Sequence, residues 1–120
     1  ILFSYRILDY LSFYKSYQYT DPAALAQLLA EKTEPYVLVD VRTPEEYASG
    51  HIPGAVLIPY DTIGSRPPAG DKDALVILYC RSGNRSGIAA RTLKSLGFTQ
   101  VQDFGGINRW KGPLTRGDKP

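Results

Sequence analysis

Two short apolar runs constrain the fold of this chain more than any other feature. The run YVLVDV covers residues 36–41 and the run ALVILY covers residues 74–79, and neither shows a polar–apolar alternation. Runs rich in β-branched and aromatic residues favour strands. Strands that are apolar on both faces are typical of a parallel sheet with helices packed on both sides. The sequence therefore predicts a mostly parallel α/β fold.

Three segments around these runs are predicted to be helices. Residues 20–32, TDPAALAQLLAEK, start at a capping residue and carry leucines on one face. Residues 43–50, TPEEYASG, have Thr and Glu at the spacing of a capping box and a glycine at the end. Residues 86–97, SGIAARTLKSLG, also end at a glycine. The inward-facing residues of this last helix are predicted to be Ile88, Leu93 and Leu96.

Two further strands and a loop complete the pattern. Residues 51–60, HIPGAVLIPY, predict a turn followed by a short strand, and residues 99–104, TQVQDF, predict a last strand. Residues 61–73 are rich in Pro, Gly and Asp, which is typical of a surface loop. Residues 105–112, GGINRWKG, predict a helical turn bounded by glycines.

Length and composition indicate a single domain. A chain of 120 residues is long enough for one core, and a net charge of +2 is too small to indicate a nucleic-acid partner. No stretch reaches the roughly 18 uninterrupted apolar residues of a transmembrane helix. We divide the chain into an N-terminal segment (1–19), an α/β domain (20–113) and a C-terminal tail (114–120).

The N-terminal segment, residues 1–19, is unusually aromatic. It holds seven of the 14 aromatic residues in the whole chain. Polar residues recur at three-residue spacing, at Arg6, Asp9, Ser12 and Lys15. This pattern predicts a helix with one narrow polar stripe. Such a helix could pack on its own domain, or contact a partner protein or a membrane surface.

The only cysteine, Cys80, directly follows a predicted strand and precedes a predicted helix. Ligand sites in parallel sheets lie beyond the carboxyl ends of the strands, and the unpaired amides of a helix N-terminus attract anions. A thiol placed there beside Arg81 and Arg85 is expected to be a nucleophile with a lowered pKa. Small residues nearby would let the backbone aim several N–H groups at one point. These are Ser82, Gly83, Asn84 and Ser86.

Each of these residues also has an ordinary structural explanation. A lone cysteine can be a small buried core residue, and either arginine can be solvated or form a surface salt bridge. The strand end, the two arginines and the following helix together favour the nucleophile. We expect Arg85, at the junction of turn and helix, to reach over the site.

Three motifs resemble those of the rhodanese (thiosulfate sulfurtransferase) superfamily. They are LVDVRTPEEYASGHIPGA, YCRSGNRS and FGGINRWKG, in that order, and the resemblance covers about residues 20–113. It implies a small α/β domain with a five-stranded, largely parallel sheet. It also implies that the Cys80 thiolate attacks a sulfane sulfur, as in thiosulfate, to give a persulfide. A second nucleophile, such as cyanide or a thiol, would then remove that sulfur.

The resemblance also implies roles for individual residues. Residues 80–85 match a six-residue active-site loop whose amides hold the persulfide and the departing oxyanion. Arg81 and Arg85 would attract the sulfonate end of thiosulfate. Asp40 and Arg42 match a DVR motif that forms a structural ion pair beside the loop. The residues expected to bind substrate are Arg81, Ser82, Gly83, Asn84, Arg85 and Ser86.

Two further residues have competing interpretations. His51 matches a residue that is usually structural in the family, although a histidine is also a candidate acid or base. Trp110 is expected either to pack on the core or to support the site as a wall beside the substrate. We expect no cofactor and no metal ion.

Two alternative functions remain open at this point. A dual-specificity phosphatase also uses a cysteine and an arginine, but it places five residues between them. Only the four residues RSGN separate Cys80 from Arg85, and the smaller loop fits one sulfur atom better than a phosphoryl group. The second alternative is a rhodanese-like binding or sulfur-relay module.

The single cysteine also bears on the acceptor. No second thiol in the sequence can resolve a Cys80 persulfide as an internal disulfide. We therefore expect sulfur to pass to an external small thiol or to a sulfur-accepting protein. The sequence leaves the location open between the bacterial cytoplasm and the periplasm.

Overall fold

The computed structural model describes residue 11, residues 14–68 and residues 70–120. Over these residues the chain forms a four-stranded, fully parallel sheet in the order β2–β1–β3–β4. The strands are Val37–Asp40 (β1), Val56–Leu57 (β2), Leu75–Cys80 (β3) and Gln100–Gly106 (β4). The helices are Pro22–Glu31 (α1), Pro44–Ser49 (α2) and Asn84–Ser95 (α3), with 3₁₀ turns at Gln18–Thr20 and Ile107–Arg109.

The family resemblance implied five strands, and this number is wrong for the described part of the chain, which has four. All four strands overlap the runs predicted from the sequence. The segment before α1 lies beside β4 as a 3₁₀ turn. Its Tyr19 amide donates to the side chain of Gln102 at 2.7 Å, and the Gln102 side-chain amide donates to the carbonyl oxygen of Lys15 at 2.7 Å. A side chain, and not a backbone ladder, therefore joins this segment to the sheet.

The sheet carries a buried core on each face, as the apolar strands predicted. All six residues of β3 are buried, and successive side chains enter opposite faces. The core on one face includes Leu25, Leu28, Leu38, Tyr47, Leu75, Ile77, Tyr79 and Phe104. The core on the other face includes Val39, Val41, Ile63, Val76, Leu78, Cys80, Ala89, Ala90 and Leu93. The thiol therefore belongs to the face that α3 covers.

The helix starts follow the predicted capping chemistry. The side chain of Asp21 accepts a hydrogen bond from the amide of Ala24 at 3.0 Å at the start of α1. Both hydrogen bonds of the capping box between Thr43 and Glu46 are present at the start of α2. These local bonds fix the position of Glu46, whose carboxylate also bonds to Arg85.

Two details of the predicted α3 are wrong. The helix begins at Asn84 because Gly83 takes up a left-handed φ of 110° and caps it two residues earlier than expected. Ile88 and Leu96 were expected to face the core, but they are 42% and 38% exposed. The inward face consists of Ser86, Ala89, Ala90 and Leu93. Three of these four side chains are small, so the helix can lie close to the sheet, while Ile88 and Leu96 fall beside that face.

The N-terminal segment is described only in part. Residues 14–17 are helical, and the rest of the helix predicted over residues 1–19 lies mostly outside the described residues. Leu11, Tyr14 and Tyr17 have large exposed fractions. Among the residues that the structure covers, no helix combines the length and apolarity needed to cross a membrane.

The C-terminal residues fold back onto the end of α2. His51 and Thr115 exchange two backbone hydrogen bonds, at 2.9 and 2.8 Å. The amide of Gly117 donates to the carbonyl oxygen of Ala48 at 2.9 Å. This segment therefore covers the region between α2 and β2.

Candidate active site

The thiol of Cys80 lies at the carboxyl end of the central strand. Cys80 is the last residue of β3 and is 1% exposed. The chain then turns back through Gly83, whose left-handed φ of 110° is readily adopted only by glycine. This turn directs the amide of Gly83 at the Cys80 sulfur, at an N–S distance of 3.0 Å.

Hydrogen bonds around the sulfur favour its ionised form. The Oγ atom of Ser86 lies 3.4 Å from the sulfur, and its hydroxyl also donates to the carbonyl oxygen of Gly83 at 3.1 Å. Burial raises the pKa of Cys80, but hydrogen bonds from the Ser86 side chain and from the amides of Ser86, Gly83 and Ser82 outweigh it. The pKa of the thiol therefore lies below its ordinary value, which increases the fraction of thiolate near neutral pH.

The end of β4 packs directly against the loop that follows Cys80. The register between β3 and β4 shifts by one residue after Leu78, and Gly105 and Gly106 then lie opposite the end of β3. A Cβ atom on Gly106 would lie 2.8 Å from the carbonyl oxygen of Arg81 and 3.2 Å from the Cα atom of Ser82. Only a residue without a side chain therefore fits beneath the loop at Gly106.

Arg85 forms a bidentate ion pair across the site. Its Nη1 and Nη2 atoms lie 2.7 and 2.9 Å from the two carboxylate oxygens of Glu46. The Arg85 side chain is 25% exposed and that of Glu46 is 27% exposed. The hydrogen bond from Arg85 lowers the pKa of Glu46 to about 2, so the pair is charged at neutral pH. The salt bridge named among the alternatives for Arg85 is thus present.

Three of the other predicted substrate-binding residues lie at the surface of the loop. Arg81, Ser82 and Asn84 are exposed, whereas Ser86 is buried beside the sulfur. Arg81 takes part in neither of the two ion pairs found among the described residues. We call the exposed side chains of Arg81, Ser82 and Asn84, together with the Arg85–Glu46 pair, the mouth of the site.

Asp40 and Arg42 form a buried network next to the loop. Arg42 donates three side-chain hydrogen bonds to Asp40, at 2.6 to 3.0 Å, and a fourth to the carbonyl oxygen of Gly50 at 2.7 Å. Burial lowers the pKa of Arg42, but the hydrogen bonds to Asp40 and the negative charge of Asp40 together raise it by more, and the guanidinium stays charged. The pair joins the end of β1 to the end of α2 and so positions the helix that carries Glu46.

His51 and Trp110 are engaged away from the sulfur. The fully buried His51 ring stacks on Tyr47, with centroids 3.7 Å apart. Its Nδ1 and Nε2 atoms each lie 2.8 Å from a backbone carbonyl oxygen, of Tyr47 and Lys119 respectively. Trp110 is half-buried against the core, and its Nε1 atom donates to the carbonyl oxygen of Pro113 at 2.9 Å. Both arrangements favour the structural interpretation of these side chains.

Three residues at the site escaped the sequence analysis. Glu46 was noticed only as half of a capping box, and no local pattern links it to Arg85, 39 positions away. Gly105 and Gly106 were assigned to a turn. Two adjacent glycines at the end of a predicted strand were nonetheless a usable signal, because they often mark a close approach of two backbone segments.

The fold and the site define a class of protein: a single α/β domain that holds one activated thiol in a loop between a strand and a helix. The comparison with protein families identifies that class further. The family model of the rhodanese-like domain matches residues 21–113. The chain therefore belongs to the rhodanese-like family.

Relatives and solved structures agree with this assignment. A sulfurtransferase of Allochromatium vinosum is 44% identical over 91 residues, which are 75% of this chain and 84% of that protein. The thiosulfate sulfurtransferase PspE of Escherichia coli is 36% identical over 81 residues, 66% of this chain and 78% of that protein. A solved structure described as a rhodanese with anions from E. coli is 35% identical and has a TM-score of 0.60. The match covers 68% of this chain and 99% of the chain in that structure.

The relatives support sulfur transfer as the general activity. Several are named sulfurtransferases, and others are named as a putative sulfur carrier protein or as adenylyltransferase and sulfurtransferase proteins. The relatives therefore include proteins named as transferases and one named as a putative sulfur carrier. A single buried cysteine at the start of the loop between β3 and α3 is compatible with both names.

Proposed function

We propose that this protein is a sulfurtransferase that uses Cys80 as its nucleophile and takes sulfane sulfur from thiosulfate or a related donor. The Cys80 thiolate attacks the outer sulfur of thiosulfate, and a new S–S bond forms. The S–S bond of thiosulfate breaks, and sulfite leaves with the electron pair. Cys80 is left as a persulfide anion, so charge and atoms balance.

The observation that carries this proposal is the position of the Gly83 amide, 3.0 Å from the sulfur of Cys80. The Gly83 amide points at the sulfur before any substrate arrives, and the Ser86 hydroxyl, which accepts from the thiol, can rotate to donate once the thiolate forms. Preorganised donors of this kind stabilise a developing or resident negative charge at little reorganisation cost. They would serve first the thiolate and then, after a small shift, the terminal sulfur of the persulfide.

The second half-reaction needs an acceptor from outside the loop. Cyanide, a small thiol or a thiolate of another protein would attack the terminal sulfur and regenerate the Cys80 thiolate. Arg81 at the mouth of the site is exposed and could guide an anionic donor or acceptor. The names of the relatives support this scheme, because PspE is named a thiosulfate sulfurtransferase and a solved relative is described as a rhodanese with anions.

Mass spectrometry of the intact protein tests the proposal. Treatment with thiosulfate should add one sulfur atom to the wild-type chain, and later addition of cyanide should remove that sulfur as thiocyanate. Cys80→Ser should gain no sulfur, while Ser95→Ala, at the far end of α3, should behave as the wild type. A wild-type chain that gains no sulfur from thiosulfate or any other sulfane donor would contradict catalysis and favour the binding module.

A further inference from the structure

The carboxylate of Glu46 stands at the mouth of the site, and its chemistry suggests a use beyond stability. We propose that Glu46 is a specificity-determining residue that neutralises Arg85 and thereby disfavours dianionic sulfur donors such as thiosulfate. The preferred donors would carry a single negative charge or none near the transferred sulfur. This inference rests on the proposed function, because it concerns the donor for Cys80.

The first support is geometric. Both terminal nitrogens of Arg85 face both oxygens of Glu46, at 2.7 and 2.9 Å. Glu46 is itself held in place, because its Oε1 atom accepts hydrogen bonds from the amide and the hydroxyl of Thr43, both at 3.1 Å. A donor sulfonate that used the same end of the guanidinium would have to displace a carboxylate with several partners.

The second support is the charge around the sulfur. Ionised Cys80 and Glu46 carry two negative charges, and Arg81 and Arg85 carry two positive charges. The hydrogen bonds from Arg85 to Glu46 raise the pKa of Arg85. The charge of the Cys80 sulfur also raises the pKa of Arg85, though less, so the two groups lie close together. The site with a thiolate is therefore close to neutral overall. Such a site attracts a dianion much less than a cup with two free arginines would.

The third support comes from α2. Glu45 precedes Glu46 in the first turn of that helix and is exposed. It carries the same charge but is not bonded to Arg85. Thr43 and Glu46 form a capping box, and this motif accepts glutamine in place of glutamate. Glu46→Gln can therefore remove the charge while keeping the start of the helix, and Glu45→Gln provides a matched control.

The test compares two donors of different charge with cyanide as acceptor. Thiosulfate carries two negative charges, and methanethiosulfonate carries one and releases methanesulfinate instead of sulfite. In Glu46→Gln, we expect kcat/KM for thiosulfate to rise about three- to tenfold, mainly through KM, because a unit charge near the site acts on both donor charges. The rise for methanethiosulfonate should be clearly smaller. Glu45→Gln should change neither donor by more than about twofold.

Several outcomes would overturn the inference. Equal changes for the two donors would show that Glu46 does not read donor charge. A fall in kcat/KM for thiosulfate would show that Glu46 holds Arg85 in the position that binds the donor. A similar rise in Glu45→Gln would point to a general effect of charge on the helix.

Two measurements separate this inference from the proposed function. Wild-type protein that forms a persulfide with either donor supports the proposed function, whatever Glu46→Gln does. Thermal unfolding of Glu46→Gln should show a melting temperature below that of Glu45→Gln, because the variant loses the ion pair with Arg85 that holds the pKa of Glu46 low. The variant should still be folded at the assay temperature, and a Glu46→Gln chain that is unfolded there would assign Glu46 a structural role and overturn the inference.

Discussion

The Oγ atom of Ser86 lies 3.4 Å from the sulfur of Cys80 and belongs to the first turn of the helix that the cysteine precedes. In the thiol form, the S–H group donates to Ser86 and the Ser86 hydroxyl donates to the carbonyl oxygen of Gly83, at 3.1 Å. In the thiolate form, the same hydroxyl can rotate and donate to the sulfur. One serine therefore accommodates both charge states of Cys80 without movement of its heavy atoms.

We predict that Ser86→Ala raises the pKa of Cys80, because burial would then be opposed by fewer hydrogen bonds to the thiolate. The pH dependence of alkylation by iodoacetamide measures this pKa. The midpoint should move to higher pH in Ser86→Ala and stay at the wild-type value in Ser95→Ala, where the lost hydroxyl bonds to Thr92 at the other end of α3. An unchanged midpoint in Ser86→Ala would show that the backbone amides alone set the pKa.

A methyl group at Gly106 should disable the loop without unfolding the protein. The added Cβ atom would lie 2.8 Å from the carbonyl oxygen of Arg81, so the loop must shift by several tenths of an ångström. We expect Gly106→Ala to slow persulfide formation at least about tenfold, because small displacements of preorganised donors are costly. Gly64→Ala, whose Cβ atom would make an ordinary 3.4 Å contact with Thr92, serves as the control. Equal rates in the two variants would contradict the supporting role of Gly106.

Loss of the Asp40 charge should strongly destabilise the fold. Asp40→Asn would leave the guanidinium of Arg42 buried with no counter-charge, since Arg42 is 6% exposed. We expect the free energy of unfolding, measured by urea denaturation, to fall by about 3–5 kcal/mol. The exposed Asp61→Asn should change it by less than about 0.5 kcal/mol. A loss below about 1 kcal/mol in Asp40→Asn would mean that water or a neighbour compensates Arg42.

The acid range should reveal the Arg85–Glu46 pair. The hydrogen bond from Arg85 lowers the pKa of Glu46 from 4.5 to about 2. A group with a depressed folded pKa contributes stability that is complete above its unfolded pKa, so this contribution should be lost as the pH falls from about 4.5 toward 2. Carbon-13 NMR of the Glu46 carboxyl should give a midpoint near 2. Arg85→Ala should raise that midpoint, and the control Arg91→Ala should not. If the midpoint does not rise in Arg85→Ala, the hydrogen bond from Arg85 is not what lowers the pKa of Glu46.

Local patterns predicted most of the fold. The apolar run ALVILY and the capping box of Thr43 and Glu46 both depend on residues near in sequence, and both are found in the structure. The prediction of a fifth strand came from the family resemblance and not from an apolar run in this sequence, and the described residues form only four strands. The predicted inward face of α3 is wrong because it follows the large apolar side chains Ile88 and Leu96, whereas the helical positions that face the sheet hold the small residues Ala89 and Ala90.

The site was harder to predict than the fold. The position of Cys80 at the end of a strand and before a helix follows from local sequence, whereas the left-handed turn at Gly83, which starts α3 two residues early, was not predicted. The partner of Arg85 and the support beneath the loop do not follow from local sequence, since Glu46 and Gly106 reach the site only after the strands have paired. The contact between Glu46 and Arg85 depends on tertiary distance and has no local signal, whereas the adjacent glycines at the end of β4 indicate a close backbone approach without saying to which segment.

The position of the chain's single sulfur atom at the start of the loop between β3 and α3 has a practical consequence for spectroscopy. The 120-residue sequence contains one cysteine and no methionine, so it holds a single sulfur atom. Every feature of a sulfur K-edge absorption spectrum of the chain would therefore come from the site itself. Conversion from thiol to thiolate to persulfide could be followed by sulfur absorption alone, with no background from the other residues of this sequence.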